Sequence, residues 1–358
     1  MSIISIFIHN SANVQWSSTL ECSNVPPFTD TAGPSVPVPP SPLGIFSLFF
    51  TPAFLAFIVE QSNQFTLECM GAEKFATWTQ ITVEELQAYM GFTILMGLVK
   101  LPSIYDYWKK DDTYHYSPIA SRITRDRFFE LHRYLHFADN STLAPPGSPE
   151  YNKLGKVQPI IDSLSQSFQE VYSPGKNVSV DEAMIPFKGR SSLKQYMPKK
   201  PVRRGIKVWA LADSENGYIA NFQVYTGKQG DSTEKGLGAK VVKTLTAPYV
   251  NSCRHVYFDN FFTGVDLLLD LQKSHLYGCG TVRTNRKGFP SELKPIVKKG
   301  MKERGESKTL QSVQSKNLTV SVWQDNKPVT VVATNSDPTV EERVSRKQRD
   351  GSSIAELS

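Results

Sequence analysis

The stretch from Asn177 to Tyr225, NVSVDEAMIPFKGRSSLKQYMPKKPVRRGIKVWALADSENGYIANFQVY, constrains this chain more than any other. It opens as a strand. Val178 and Val180 are apolar, as are Ala183 and Ile185 one step on, and the carboxylate pair Asp181–Glu182 sits between them. Successive strand residues face opposite sides, so only one member of that pair can look into a given cleft. From Ala183 to Ala212 the chain then carries eight Lys or Arg and no Asp or Glu. Two readings are open on these residues alone. One is a metal site beside a phosphate-binding surface; the other is a solvated basic loop next to an ordinary edge strand.

The rest of the chain narrows the class. At 358 residues it is long enough for a sizeable core and two or three domains. The net charge of +6 is a mild excess, so its clustering matters more than its size. Cys22, Cys69, Cys253 and Cys279 form no CxxC pair, which points to neither a zinc signature nor a disulfide framework and favours a reducing compartment. The N-terminus has no basic lead-in or clear cleavage site, so no secretory signal is expected. Leu43–Val59 is uncharged for 17 residues, the bottom of the range for crossing a bilayer. Pro52 interrupts it, and a helix capped by Thr51 and packed on a core explains the run as well.

Residues 1–41 end in AGPSVPVPPSP and read as a disordered or extended leader. Residues 42–176 read as a helical domain. Thr82–Glu85 is a capping box, and Thr124 can cap a helix with Phe128, Leu131 and Leu135 as its buried stripe. Arg125, Arg127, Arg133 and Lys153 leave this region a basic flank, which is a solvated face unless context makes it a DNA contact. Val157–Tyr172 has helical spacing of Ile160, Ile161, Leu164 and Phe168.

From 177 the period changes to that of strands. The expected order is strand 177–183, the hairpin 206–213 and 218–225, helix 234–245, strand 254–258, helix 263–274 and strand 277–282. Three meandering strands followed by alternating helix and strand make a mixed α/β sheet of ribonuclease H-like architecture, here assigned to 177–290. In that topology the first and fourth strands are neighbours, so Asp181 can meet Asp259 at the end of the fourth. Two carboxylates with open positions suit Mg2+, a hard cation that keeps waters and takes phosphate oxygens. A pair of such ions can activate a water or a 3′-hydroxyl for in-line displacement. Alternatively, Asp259–Asn260 only caps the helix that follows.

These residues carry a resemblance. Val180–Asp181–Glu182, Phe187–Lys188–Gly189–Arg190, Tyr196–Met197–Pro198, Lys200–Pro201, Gly205–Ile206–Lys207 and Gly217–Tyr218 resemble the first catalytic block of piggyBac transposases and their host-derived relatives. Asp259–Asn260–Phe261–Phe262–Thr263 resembles the block of the second catalytic Asp, and Gly280–Thr281–Val282–Arg283–Thr284–Asn285–Arg286 the segment after it. The likeness runs over roughly 42–351. It places the apolar run at the family's first buried helix, so no membrane span is expected. It implies cut-and-paste transposase ancestry, a nuclear location, double-stranded DNA and a homodimer as partners, and Mg2+ held by three aspartates. The first two carry over to Asp181 and Asp259.

The family's third aspartate lies in a Gly-Gly-Val-Asp motif that this sequence lacks. Residues 291–358 are therefore expected to be a partial, β-rich insertion domain that stops before it, with the hairpin 318–323 and 328–334 standing away from the core. Neither Glu182, on the opposite face of its strand, nor Asp325, in that hairpin's turn, is a convincing substitute. The expected function is a DNA-binding protein with an incomplete metal-dependent strand cleavage and transfer site, inactive in transposition by itself. A non-catalytic scaffold and a degenerate product that does not fold stably are the competing expectations. Lys188, Arg190, Lys194, Lys199, Lys200, Arg203 and Arg204 are the expected phosphate contacts, joined by Arg283 and Arg286, while Lys207, alternating within its strand, is open to a phosphate contact or a structural role.

Overall fold

The structure is a computed structural model that describes residues 14–111, 113, 114, 116–227, 236–340, and the backbone of 343–347 and 353–357. Residues 1–13 of the leader, Glu234 at the expected helix start, and 348–352 lie outside the described residues. The chain divides into two compact units, Pro37–Val171 and the combination of Met1–Val36 with Tyr172–Ser358.

The first of these is helical. The apolar run breaks where Pro52 forces it to. Helix α1 (Pro42–Phe49) ends, Thr51 accepts from the Phe54 amide, and α2 (Pro52–Met70) starts with proline in its first turn, where a missing N–H costs nothing. Among the described residues no single helix is long and apolar enough to cross a membrane; only the bent pair α1 and α2, turned by 63°, passes together. Helix α3 (Val83–Leu98) has both halves of the Thr82/Glu85 capping box. Helix α4 (Arg125–Tyr134) is capped by Thr124 and buries Phe128 and Leu131 against Tyr89, Phe92 and Ile119. Helix α5 (Gln158–Val171) closes the unit against α1, with Phe49 edge-on to Phe168.

The other unit is built on one ten-stranded sheet. Its long strands are β1 (Asn177–Pro186), β2 (Lys194–Tyr196), β3 (Arg204–Asp213), β4 (Ile219–Val224), β5 (His255–Phe258), β6 (Tyr277–Thr281), β7 (Ser307–Ser312), β8 (Thr319–Gln324) and β9 (Pro328–Ala333). Across the sheet the order is the short strand Trp16–Ser17, then β7, β8, β9, β6, β5, β1, β3 and β2, with β4 also on β3. The pairs β1–β5 and β5–β6 are parallel and the others antiparallel. β1 and β5, the first and fourth of the expected strands, are neighbours, and the unexpected short strand β2 makes β5 the fifth after residue 176. Alternate residues Val178, Val180, Trp209, Leu211, Val256 and Phe258 are buried on one face. They share a core with Val241, Val242 and Leu245 of α6 (Leu237–Thr246) and Val265, Leu268 and Leu271 of α7 (Val265–Lys273). Each such aliphatic side chain contributes about 1.5–3 kcal/mol by leaving water.

One expectation is corrected. The 318–334 hairpin does not stand away from the core. Its second strand bonds to β6 through Val331↔Thr281, Val332↔Gly280 and Ala333↔Cys279. Leu318, Val320, Val322 and Val332 are fully buried in the same core. A sheet whose β6 edge carries unpaired backbone groups gains a partner this way, and the alternating valines supply a face to bury. Over its described part the leader takes the extended rather than the disordered form. Trp16–Ser17 pairs with Gln311–Ser312, and Gly33–Pro34 pairs with Tyr172–Ser173. Between them Asp30 and Phe28 dock on Arg254, which is 2% exposed, at 2.7 Å for the ion pair and 5.0 Å for the ring.

Candidate active site

The parallel register of β1 and β5 runs from Asn177↔His255 to Val180↔Phe258. Asp181 and Asp259 are each the next residue after its last pair. Adjacent strands lie about 4.8 Å apart, so the residues just before the two aspartates, Val180 and Phe258, are immediate neighbours in the sheet. Val180 and Phe258, just before them, point into the core, so alternation turns both aspartates to the other face. Both are exposed.

The two carboxylates are held differently. Asp181 continues the β1–β3 ladder opposite Ala210, and its Oδ1 accepts from the Glu182 amide at 2.7 Å. Asp259 lies one residue past the end of β5. Its Oδ1 accepts from the Phe261 amide at 2.8 Å, and its carbonyl accepts from the Thr263 hydroxyl at 2.6 Å and the Phe262 and Thr263 amides at 3.2 Å. The alternative reading of Asp259 as a helix cap takes a narrower form. It closes a tight Asx-type turn, while the residue before α7 is Gly264, with no side-chain cap.

Glu182 points the other way, as strand alternation requires. Its carboxylate takes Lys207 at 2.8 Å and Lys200 at 3.3 Å. The Lys207 ammonium lies 5.2 Å from the Trp209 and Phe261 rings and 5.8 Å from Tyr225. Burial alone would raise the Glu182 pKa, but the Lys207 hydrogen bond and charge together with Lys200 outweigh it and hold the carboxyl below its ordinary range. Lys207 is therefore structural, and Lys200, expected on DNA, is already paired.

The remaining cations divide into free and committed. Lys188, Arg190, Lys199 and Arg203 are exposed, with no ion pair among the described residues. Ile185, Phe187 and Tyr196 stand exposed beside them. Lys194 donates to the Gly189 carbonyl at 2.8 Å, and Arg204 stacks on Tyr196 at 5.2 Å. Arg283 donates through Nε to Asn260 Oδ1 at 2.8 Å. Arg286 donates through Nη2 to the carbonyls of Asn260 at 2.9 Å and Phe261 at 2.7 Å. Burial pushes the Arg286 pKa below the ordinary arginine value, Arg283 adds to this, and Asp259 opposes it.

Comparison with known proteins decides the family. The family described as Transposase IS4, of the DDE type, matches residues 41–357. The chain belongs to the piggyBac-derived branch of these transposases. It is 31% identical over 301 residues to piggyBac transposable element-derived protein 2 of Homo sapiens, covering 81% of this chain and 48% of that protein. Protein 3 of the same series, also from Homo sapiens, is 31% identical over 303 residues, covering 83% of this chain and 48% of the relative. The chain thus spans about half the length of the curated relatives it matches. Among solved structures, the cryo-EM structure of a piggyBac transposase synaptic complex with hairpin DNA superposes with a TM-score of 0.72 at 28% identity. That match covers 87% of this chain and 65% of the other.

Against the metal chemistry that DDE transposases suggest, the donor set fits in part. Asp181 and Asp259 carry hard oxygen donors, and each keeps an oxygen outside its hydrogen bond to the Glu182 or Phe261 amide. Among the described residues no group of three or more His, Cys, Asp or Glu comes together. Glu182 is turned away and ion-paired, and Asp325 is held by Arg304 at 2.7 Å.

Several residues that shape this piggyBac-like site were missed from sequence. Gly280 approaches so closely that a Cβ there would meet the Phe258 carbonyl and the Thr263 hydroxyl, both at 2.5 Å. Gly238 does the same to the Phe261 carbonyl, at 2.7 Å. A glycine inside a strand is the available sign of such an approach, and Gly280 in YGCGT carried it. For Phe261 as the lid on Lys207 there was no sign.

Proposed function

We propose that this chain is a piggyBac transposase-derived DNA-binding protein, nuclear and homodimeric, with an incomplete metal-dependent strand cleavage and transfer site on a ribonuclease H-like core. The reading is supported by one observation, the parallel β1–β5 register whose last pair, Val180↔Phe258, comes one residue before Asp181 and Asp259. Asp181 and Asp259 would hold Mg2+, which when bound activates a water or 3′-hydroxyl and steadies the leaving oxygen. The exposed Lys188, Arg190, Lys199 and Arg203, with Phe187 and Tyr196 among them, would grip the backbone of duplex DNA. A phosphate backbone is read here without regard to sequence, since none of these cations is fixed in a fork aimed at a base edge.

Fluorescence anisotropy with a labelled duplex tests the DNA half. Binding should weaken linearly in log[salt], and each substitution of Lys188, Arg190, Lys199 or Arg203 by Gln should flatten the slope by about one. A slope indifferent to all four removes the interface. The absence of a third acidic ligand among the described residues favours a second reading, a DNA-binding scaffold without catalysis. Under that reading Asp181→Ala and Asp259→Ala change neither Mg2+ binding nor nicking. Under the first, Asp181→Ala abolishes both.

A further inference from the structure

The Asp259 turn is held from outside itself. Its own bonds satisfy the Phe261, Phe262 and Thr263 amides. Two carbonyls, those of Asn260 and Phe261, are left facing outward, and both are taken by one nitrogen of Arg286. The same peptide unit links the two ends of this arrangement. The N–H of the Asn260–Phe261 peptide donates to the Asp259 carboxylate at 2.8 Å, and the C=O of that same peptide, on Asn260, accepts from Arg286 at 2.9 Å, so a shift at Arg286 is passed directly to the carboxylate. On the far side Gly238 packs against the Phe261 carbonyl and the Lys207 ammonium lies under the Phe261 ring. Arg286 Nε is buried with no partner among the described residues, so that edge of the guanidinium is closed to solvent. Arg286 is half-buried, with Nη2 committed to the two carbonyls.

We infer that Arg286 is a positioning residue for Asp259: it fixes the turn's backbone through the Asn260 and Phe261 carbonyls rather than contacting a DNA phosphate. The inference rests on Asp259 being a metal ligand only for its consequence, since the contact itself concerns the backbone. Loss of an outer partner of a metal ligand typically lowers metal affinity 10- to 100-fold. Arg286→Met should therefore weaken Mn2+ binding by about that factor while leaving the salt slope of DNA binding unchanged. Arg286→Lys, which keeps a donor and the charge, should recover part of the affinity.

Hydrogen–deuterium exchange on the full chain gives the deciding readout. In Arg286→Met the amides of 261–263 should exchange on the order of tenfold faster than in the parent protein, whereas Arg190→Met leaves them as they were. Unchanged exchange in the turn overturns the inference, and so does a salt slope that falls by about one in Arg286→Met. Should Arg286→Met loosen the whole sheet, Arg286→Gln, which retains one donor, decides the same question with the same two outcomes. The metal reading fails separately. If Asp181→Ala and Asp259→Ala leave Mn2+ binding intact, Asp259 is no ligand, yet the exchange result still decides whether Arg286 holds the turn.

Discussion

Asp181 and Asp259 owe their places to different forces. Asp181 is the fifth residue of a ten-residue strand with ladders on both flanks, so its position is set by backbone bonds that no single side chain controls. Asp259 lies beyond its strand, on a turn located by Arg283, Arg286, Thr263 and the close approach of Gly238 and Gly280. One half of the pair is robust to side-chain change and the other depends on a handful of contacts. A site built this way degrades first at its turn-borne carboxylate.

The largest expected effect falls on that second half. Gly280→Ala would drive a methyl into the Phe258 carbonyl and Thr263 hydroxyl, neither of which is the end of a flexible chain. It should destabilise the protein by about 3 kcal/mol, read as a lower urea midpoint at constant m. Ala210→Ser, on the ladder opposite Asp181, should cost no more than about 0.5 kcal/mol. Comparable losses from the two would erase the distinction.

Next comes the ion pair that touches both halves. Glu182 follows Asp181 on β1, and its partner Lys207 lies against Phe261 of the Asp259 turn. Glu182→Gln leaves Lys207, 12% exposed, among three rings without its counter-charge, at a cost of about 2 kcal/mol at neutral pH. The folded-state pKa of Glu182 lies below its ordinary 4.5. Its stabilisation is therefore full above that value and lost as pH falls through the lower, folded one. The urea midpoint of the parent should drop over this acid range, and Glu182→Gln should flatten the drop.

What the sequence made legible was what lies close along the chain. The Thr82/Glu85 box, the Thr51–Pro52 start and the alternation of Val178 and Val180 are each decided within a few residues, and all are present. The neighbouring of β1 and β5 followed from strand order, a rule of topology rather than of residues. The misses are long-range. Arg254 was read only as the start of a strand, because its partners Ser173 and Asp30 lie 81 and 224 residues away. The Pro-rich leader looked unable to bury anything, yet Phe28 and Asp30 need only one buried guanidinium to dock on. The bonds of Arg286 to the turn were not legible either. Its acceptors are backbone carbonyls, which every residue has and no sequence pattern announces.

The smallest effect is the sharpest test of the comparison, because it removes the two carboxylates themselves. Asp181→Ala deletes one bond to the Glu182 amide at the solvent face of a strand whose ladder persists without it. Its stability should change by less than about 0.5 kcal/mol. Asp259→Ala deletes the acceptor that closes the turn and leaves the Phe261 amide to find another, for about 1 kcal/mol. The same two substitutions should differ in exchange too, faster at 261–263 for Asp259→Ala and unaltered along β1 for Asp181→Ala. Equal costs would mean that Arg286, Gly238 and Gly280 hold the turn without its own carboxylate, which would then be held in place without contributing to the fold and would be left wholly to its ligand.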